Sequence, residues 1–371
     1  MKVLTVVGAR PNFMKAAPII RALAARPGYR HVLVHTGQHY DWAMSGAFFD
    51  ALAMPAPDVD LGIGSGSHAQ QTARVMEAIE PVLAAEAPDV VMVVGDVNST
   101  LAAALTAKKL DLTVAHVEAG LRSGDMTMPE EVNRRCVDAI SDLLFTTDVL
   151  ADANLRREGT PPERIHFVGN VMIDTLTRHV GEAERLDYPG RLGLAPRGYA
   201  TLTLHRPANV EAPERLAEIL GAVIEAADGL PVVFPVHPRT RRRIEALGAG
   251  VARPLNGGGP AAGINTVDPL GYLEFLSLNR AARIVFTDSG GLQEETAVLG
   301  VPCITLRETT ERPITLRGGA NRLAGVTRAG ILAASAAALA DEGGPQPAPD
   351  KWDGRAAERI ADVLDGIWGT A

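Results

Sequence analysis

Three acidic positions carry the chemistry this chain could perform. Asp96 follows the apolar run 89–94, Glu118 lies in His116-Val117-Glu118-Ala119-Gly120 after the run 113–117, and Glu130 opens Pro129-Glu130-Glu131-Val132-Asn133-Arg134. Both runs read as buried parallel strands, and in open parallel sheets ligands occupy the crevice at the carboxyl ends of the strands. Asp96, Glu118 and Glu130 are therefore expected to converge on one cleft. Several acids at one cleft point to a metal site or to proton transfer. Arg122, Arg134 and Arg135 interleave with the acids and would repel a cation. His116 alternates onto the opposite strand face from Val117, so the spacing is not a ligand set. Acid plus arginine suits acid–base work on an anionic substrate, with no metal and no cofactor.

Two loops have the composition of anion sites. Gly8-Ala9-Arg10-Pro11 sits where a strand hands over to a helix, whose first N–H groups and dipole favour negative charge. Arg10 adds a planar fork suited to phosphate oxygens, and Lys15 lies on the first turns of that helix. No G-x-G-x-x-G fingerprint is present. Thr287-Asp288-Ser289-Gly290-Gly291-Leu292-Gln293-Glu294-Glu295 repeats the logic. Gly290 and Gly291 allow close backbone approach, Ser289 can donate a hydroxyl, and Glu295 could accept from a ribose diol. The plainer alternative is a helix N-cap at Asp288 or Ser289. One such loop in each half of the chain suggests a nucleotide held in an interdomain cleft. His205, with Arg206 beside it, ends another apolar run and is placed for a cleft role, whereas His39 and His237 read as locally hydrogen-bonded.

The elements that must position these groups alternate in type. Apolar runs at 2–7, 31–36, 89–94, 113–117, 143–146 and 165–168 read as strands, separated by helices at 14–25, 67–85, 98–108, 130–139 and 151–158. The pattern restarts with strands at 199–204, 231–235, 283–287 and 302–306 and helices at 213–227, 271–277 and 292–299. This is α/β: two Rossmann-like doubly wound domains, expected at 1–175 and 176–354. A final amphipathic helix at 355–368 could pack back on the first domain.

Composition bounds the rest. The 371 residues allow two domains, and 46% hydrophobic residues with only 4% aromatic imply cores of Ala, Val, Leu and Ile. A net charge of −8 argues against a nucleic-acid surface, and the basic run Arg239-Thr240-Arg241-Arg242-Arg243 reads as a solvated helix start. Cys136 and Cys303 make no disulfide framework, which fits a reducing cytoplasm. The run 2–7 is too short for a signal peptide, and no uncharged stretch is long enough to span a bilayer.

Taken jointly, the motifs resemble a known family. Gly8-Ala9-Arg10-Pro11 with Lys15 and Pro18, Gly95-Asp96, His116-Val117-Glu118-Ala119-Gly120-Leu121-Arg122, Pro129-Glu130-Glu131 with Asn133-Arg134, His205-Arg206, Thr287–Glu295 and Thr309-Thr310-Glu311-Arg312-Pro313 occur in the order seen in the non-hydrolysing UDP-N-acetylglucosamine 2-epimerases. The resemblance implies a GT-B-like pair of domains facing across a cleft, with UDP between them, and a homodimer. It implies inversion at carbon 2 of UDP-GlcNAc through elimination of UDP to a 2-acetamidoglucal. By motif match Asp96, Glu118, Glu130, Arg134 and His205 are catalytic, without saying which carboxylate is base and which acid. Arg10, Lys15, Ser289, Gly290, Gly291 and Glu295 would hold UDP, with Tyr272 or Phe275 at the uracil. Gln38, Arg74, Arg206 and His237 match the family's activator site. Asp41 stands where better-known bacterial members carry a second glutamine, and ionised it would repel a diphosphate. Relatives with the Gln38-His39-Tyr40-Asp41 form also act on diacetamido or uronic-acid UDP-sugars. A GT-B glycosyltransferase and a non-catalytic UDP-sugar sensor are the other readings, and neither needs three converging carboxylates.

Overall fold

Among the described residues, fourteen short strands form two parallel sheets of seven. The structure is a computed structural model and describes residues 1–37, 52, 54–248, 250–255, 259–317, 321–341 and 347–369. The first sheet runs β3-β2-β1-β4-β5-β6-β7, from β1 (Lys2–Val7), β2 (Arg30–His35), β3 (Val59–Asp60), β4 (Val90–Val94), β5 (Val114–Ala119), β6 (Leu143–Thr146) and β7 (Ile165–Phe167). The second runs β10-β11-β9-β8-β12-β13-β14, from β8 (Ala200–Thr203), β9 (Pro231–Pro235), β10 (Ala252–Pro254), β11 (Gly263–Val267), β12 (Ile284–Thr287), β13 (Cys303–Thr305) and β14 (Asn321–Leu323). Every residue of β4 is buried, as expected of a central parallel strand covered on both faces by helices.

The chain divides into two compact units: residues 1–178 with 350–371, and residues 179–349. The sequence reading set its boundaries at 175 and 354. In the first unit the helix Ala356–Trp368 buries Ala357, Ile360, Ala361 and Leu364 with Ile19 and Leu23 of the helix Arg10–Ala24. Its free N-terminus is capped by Asp174, which accepts from Ala356 N at 3.0 Å and Ala357 N at 2.7 Å. Among the described residues, no helix is long and apolar enough to cross a membrane.

Several elements differ from the sequence expectation. The first helix begins at Arg10 rather than residue 14, so Pro18 lies inside it and Pro11 occupies its first turn. Residues 171–186, read as a domain boundary, form one helix, Val171–Leu186. The strands β11 and β14 and the helix Arg328–Leu339 lay in stretches left unassigned.

Candidate active site

Each sheet has a switch point, where successive strands are added on opposite sides, and the groups singled out above gather there. In the first unit β1 and β4 are neighbours, with β2 outside one and β5 outside the other. Gly8 leaves β1 and Gly95-Asp96 leave β4. A side chain at Gly8 would collide with the hydroxyls of Ser99 and Thr36, so glycine lets this loop lie against the helix Asn98–Lys109. Asn12 laces the two strand ends together. Its Oδ1 accepts from Gly8 N at 3.1 Å and Ala9 N at 3.0 Å, and its Nδ2 donates to Val94 O at 2.9 Å.

Glu118 is held in an uncommon backbone. The pairing of β5 with β6 shifts register between Val117 and Ala119, and Glu118 has φ 73°. A non-glycine residue with positive φ at a bulge is strained, and such strain persists where the surroundings fix it. Its carboxylate pairs with Lys15, and both residues are buried. The same pocket of side chains borders Gly95, where a Cβ would lie 3.2 Å from Glu118 Oε2 and 3.6 Å from Asn12 Nδ2.

Asp96 is gripped from the helix Pro129–Ile140. Arg134 donates from Nε to Asp96 Oδ2 at 3.2 Å and from Nη2 to the same oxygen, while Asn133 Nδ2 donates to the Asp96 carbonyl at 2.9 Å. Arg134 also pairs with Glu131, which is fully buried and accepts from Ser123 N at 2.9 Å and Ser123 Oγ at 3.0 Å. Burial pushes the Glu131 carboxyl up, but the Ser123 N–H and the Arg134 charge outweigh it and hold the group below its ordinary value. Glu131 thus fixes the loop that follows Glu118. Its neighbour Glu130 is half-buried on the first helical turn and makes no hydrogen bond or ion pair among the described residues.

In the second unit the switch point lies between β8 and β12. His205 and Arg206 follow β8, and Asp288 follows β12. Asp288 is not the helix cap that its position suggested. It is buried and accepts from His205 N at 3.1 Å, Arg206 N at 2.9 Å and Asn209 Nδ2 at 3.1 Å. Its Oδ1 also lies 2.7 Å from His205 Nδ1. Burial pushes Asp288 up, yet these donors and the His205 charge hold it below the usual carboxylate range. The contact aims the His205 ring by one nitrogen and leaves the side chain 58% exposed. Ser289 is the N-cap of the helix Gly290–Leu299, without a side-chain cap bond. A Cβ at Gly290 would lie 2.6 Å from Glu311 Oε1, so glycine is required against the ion pairs Arg307–Glu311 at 2.6 Å and Arg312–Glu311 at 3.0 Å that back the loop. One turn on, Glu295 is buried and accepts from the Tyr272 hydroxyl at 3.1 Å. Burial pushes it up to about 7, the Tyr272 bond opposing and the Glu294 charge adding. Phe275 packs into the apolar cluster around Leu278 and Val285.

The remaining candidates lie on separate elements, Arg74 in the first unit and Arg206 and His237 in the second. Arg206 donates from Nε to Asp288 O at 3.1 Å, His237 stands at the N-cap position of the helix Pro238–Ala246 without a side-chain cap bond, and Arg74 is exposed on the helix His68–Glu86. The Arg10 side chain, Gln38, His39 and Asp41 lie outside the described residues. Arg122 pairs with Asp138 at 2.7 Å and Glu158 at 2.6 Å rather than with the acids it interleaves. Sequence reasoning missed Asp138 and the role of Asp288. A signal for the first was present: Glu131, Arg134 and Asp138 stand three and four residues apart, one face of a helix.

The sequence profile of the family described as UDP-N-acetylglucosamine 2-epimerase matches residues 21–365. The UDP-N-acetylglucosamine 2-epimerase of Methanocaldococcus jannaschii is 42% identical over 339 residues, covering 90% of this chain and 91% of that one. The UDP-2,3-diacetamido-2,3-dideoxy-D-glucuronate 2-epimerase of Pseudomonas aeruginosa is 41% identical over 372 residues, covering 98% and 99%. The crystal structure of the M. jannaschii UDP-GlcNAc 2-epimerase in complex with UDP-GlcNAc and UDP superposes with a TM-score of 0.87 at 40% identity, over 99% of this chain and 100% of that one. The chain belongs to the UDP-N-acetylglucosamine 2-epimerase family. It is an isomerase of GT-B-like fold acting on a UDP-sugar.

Proposed function

We propose that the chain interconverts UDP-GlcNAc and UDP-ManNAc by anti elimination and re-addition of UDP. A carboxylate takes the proton from carbon 2, the bond between carbon 1 and the diphosphate oxygen breaks with its electron pair leaving on UDP, and a carbon 1–carbon 2 double bond forms. Re-addition reverses these steps with the proton returned to the other face. Positive charge develops at carbon 1 and negative charge on the diphosphate, which is why fixed carboxylates and helix N-termini are both needed. The observation that carries the proposal is the set at the first switch point: buried Glu118 on Lys15 and part-buried Asp96 on Arg134. We assign acid–base work to Asp96, Glu118 and Glu130 with Arg134 and His205, and UDP binding to Arg10, Lys15, Ser289, Gly290, Gly291 and Glu295.

A second sugar is favoured by one finding. The P. aeruginosa relative, which matches this chain almost end to end, is named for a diacetamido-glucuronate. Proton NMR of the protein with UDP-GlcNAc and with UDP-2,3-diacetamido-glucuronate in parallel separates the two. Growth of UDP-ManNAc signals at the higher kcat/KM is the expected result. Faster inversion of the diacetamido-uronate would assign the chain to that sugar, and inversion of neither would overturn both readings.

Glu295 supplies a pH test of the UDP assignment. With its carboxyl near 7 in the free protein, a ribose diol donating to the ionised form would lower that value on binding. UDP affinity should then rise as pH is raised from 6 to 8, approximate bounds around that midpoint, with a proton released on binding. Glu295→Gln should remove this increment, leaving only what UDP's own phosphate contributes. Calorimetry in two buffers of different ionisation enthalpy reads it, and equal proton release by wild type and variant would refute the ribose role.

A further inference from the structure

The first unit contains an Asp–His pair, wholly buried, that none of the assigned roles uses. His116 and Asp138 are buried, with His116 Nδ1 2.7 Å from Asp138 Oδ1 and His116 Nε2 2.8 Å from the carbonyl oxygen of Gly95. The ring therefore bridges the Asp138 carboxylate and the Gly95 carbonyl, one nitrogen on each oxygen. The other Asp138 oxygen accepts from Gly120 N at 3.0 Å and from Arg122 Nη1 at 2.7 Å. Burial pushes the Asp138 carboxyl up, and His116 and Arg122 together hold it below the ordinary range.

The positions of these bonds matter more than their number. Gly95 directly precedes Asp96, and Gly120 follows Glu118 by two residues. Gly95, Glu118 and Gly120 all have positive φ, 68°, 73° and 82°. At Gly120 any Cβ would run into the Ala151 backbone, so this turn cannot relax by shifting toward the helix Val149–Arg157. A buried ion pair is an expensive way to fill a core, since apolar residues of the same volume are often as stable or more so. Its effect here is directional: it ties two strand ends, one of them carrying the strained Glu118, to one another through a single ring and carboxylate.

We propose that His116 and Asp138 are positioning residues that hold the backbones carrying Asp96 and Glu118 in register for the proton transfers. The inference rests on the epimerase reading for its kinetic consequence and on geometry alone for its structural one. Two amides separate the bonds. In His116→Gln the amide nitrogen can stand where Nε2 stands and still donate to Gly95, whereas in His116→Asn it can reach only Asp138.

H116N should lower kcat by on the order of a hundredfold, the scale of a misplaced catalytic group, with KM and UDP affinity held to within about twofold of wild type. H116Q should recover at least about tenfold of that loss. Hydrogen exchange followed by mass spectrometry should quicken in H116N over residues 94–98, the strand end whose bond is lost, and not in the second unit. Equal kcat losses in the two variants, no loss in either, or unchanged exchange over 94–98 would overturn the proposal. If H116N fails to fold, Asp138→Asn is read instead, with a comparable loss of kcat and quickened exchange over 117–122, where Gly120 N loses its carboxylate. If wild type inverts no UDP-sugar, the epimerase reading fails, and quickened exchange in these segments still supports the brace while unchanged exchange removes it.

Discussion

Changing Glu118 to glutamine is expected to lower turnover by on the order of a hundredfold or more, the usual scale for an acid–base group. The amide has the shape of the carboxylate and cannot take a proton. It also deprives Lys15 of its ion pair at a site where both partners are buried. Removing one partner of such a pair costs roughly 3–5 kcal/mol, so the melting temperature should fall with the rate. Asp96→Asn should show the same kinetic loss with a smaller stability change, because the Asp96 side chain is 23% exposed and Arg134 keeps Glu131 as a partner. Glu130→Gln should lose rate with no measurable change in stability, since Glu130 is half-buried and bonded to nothing among the described residues. UDP affinity should be close to wild type in Asp96→Asn and Glu130→Gln, which touch none of the groups assigned to UDP. Steady-state kinetics, calorimetry with UDP and thermal melts distinguish these patterns. Normal turnover by all three variants would remove the carboxylates from the mechanism.

Much of this arrangement was legible in the sequence because it sits at strand ends. Wholly apolar runs such as 90–94 mark central parallel strands, and the residue that follows such a strand is delivered to the crevice by the fold itself. That is why Asp96, Glu118 and His205 could be singled out, and why the loops at Gly8 and Ser289 could be recognised from glycine at a strand-to-helix turn. The positive φ of Glu118 had no such marker, since a bulge depends on the pairing of β5 with β6 and not on the identity of one residue.

The partners of these groups were not legible. Asp288 lies 83 residues from the His205 it orients, and Asp138 lies 22 from His116. Local spacing made the first resemble a cap and gave the second no mark of its own. Glu131 and Glu130 are adjacent in sequence, yet helix geometry turns one into the core and leaves the other half-buried. The unassigned elements have similar causes. Val171–Leu186 carries Gly181 and a polar outer face, which reads as a linker until Val171, Ile173 and Leu176 are seen to be buried. The strand β11 contains Asn265, whose amide bonds Ala261 O at 2.7 Å and Gly263 O at 2.8 Å, so a buried polar residue with local partners passes for a loop.

The central claim is that a proton leaves carbon 2 of the sugar and is replaced from solvent on either face. Incubating the wild-type chain with UDP-GlcNAc in heavy water, with no acceptor sugar or protein present, tests it most directly. The account predicts deuterium at carbon 2 in the epimer formed and, as the reaction nears equilibrium, in the recovered UDP-GlcNAc. All other carbon-bound positions should remain unlabelled. Elimination of UDP makes a second mark: tracer-labelled free UDP added to the mixture should not enter the UDP-sugars, because the UDP released on the protein is the one added back. Epimer that forms without deuterium at carbon 2, or full recovery of unlabelled substrate with every UDP-sugar offered, would contradict the account.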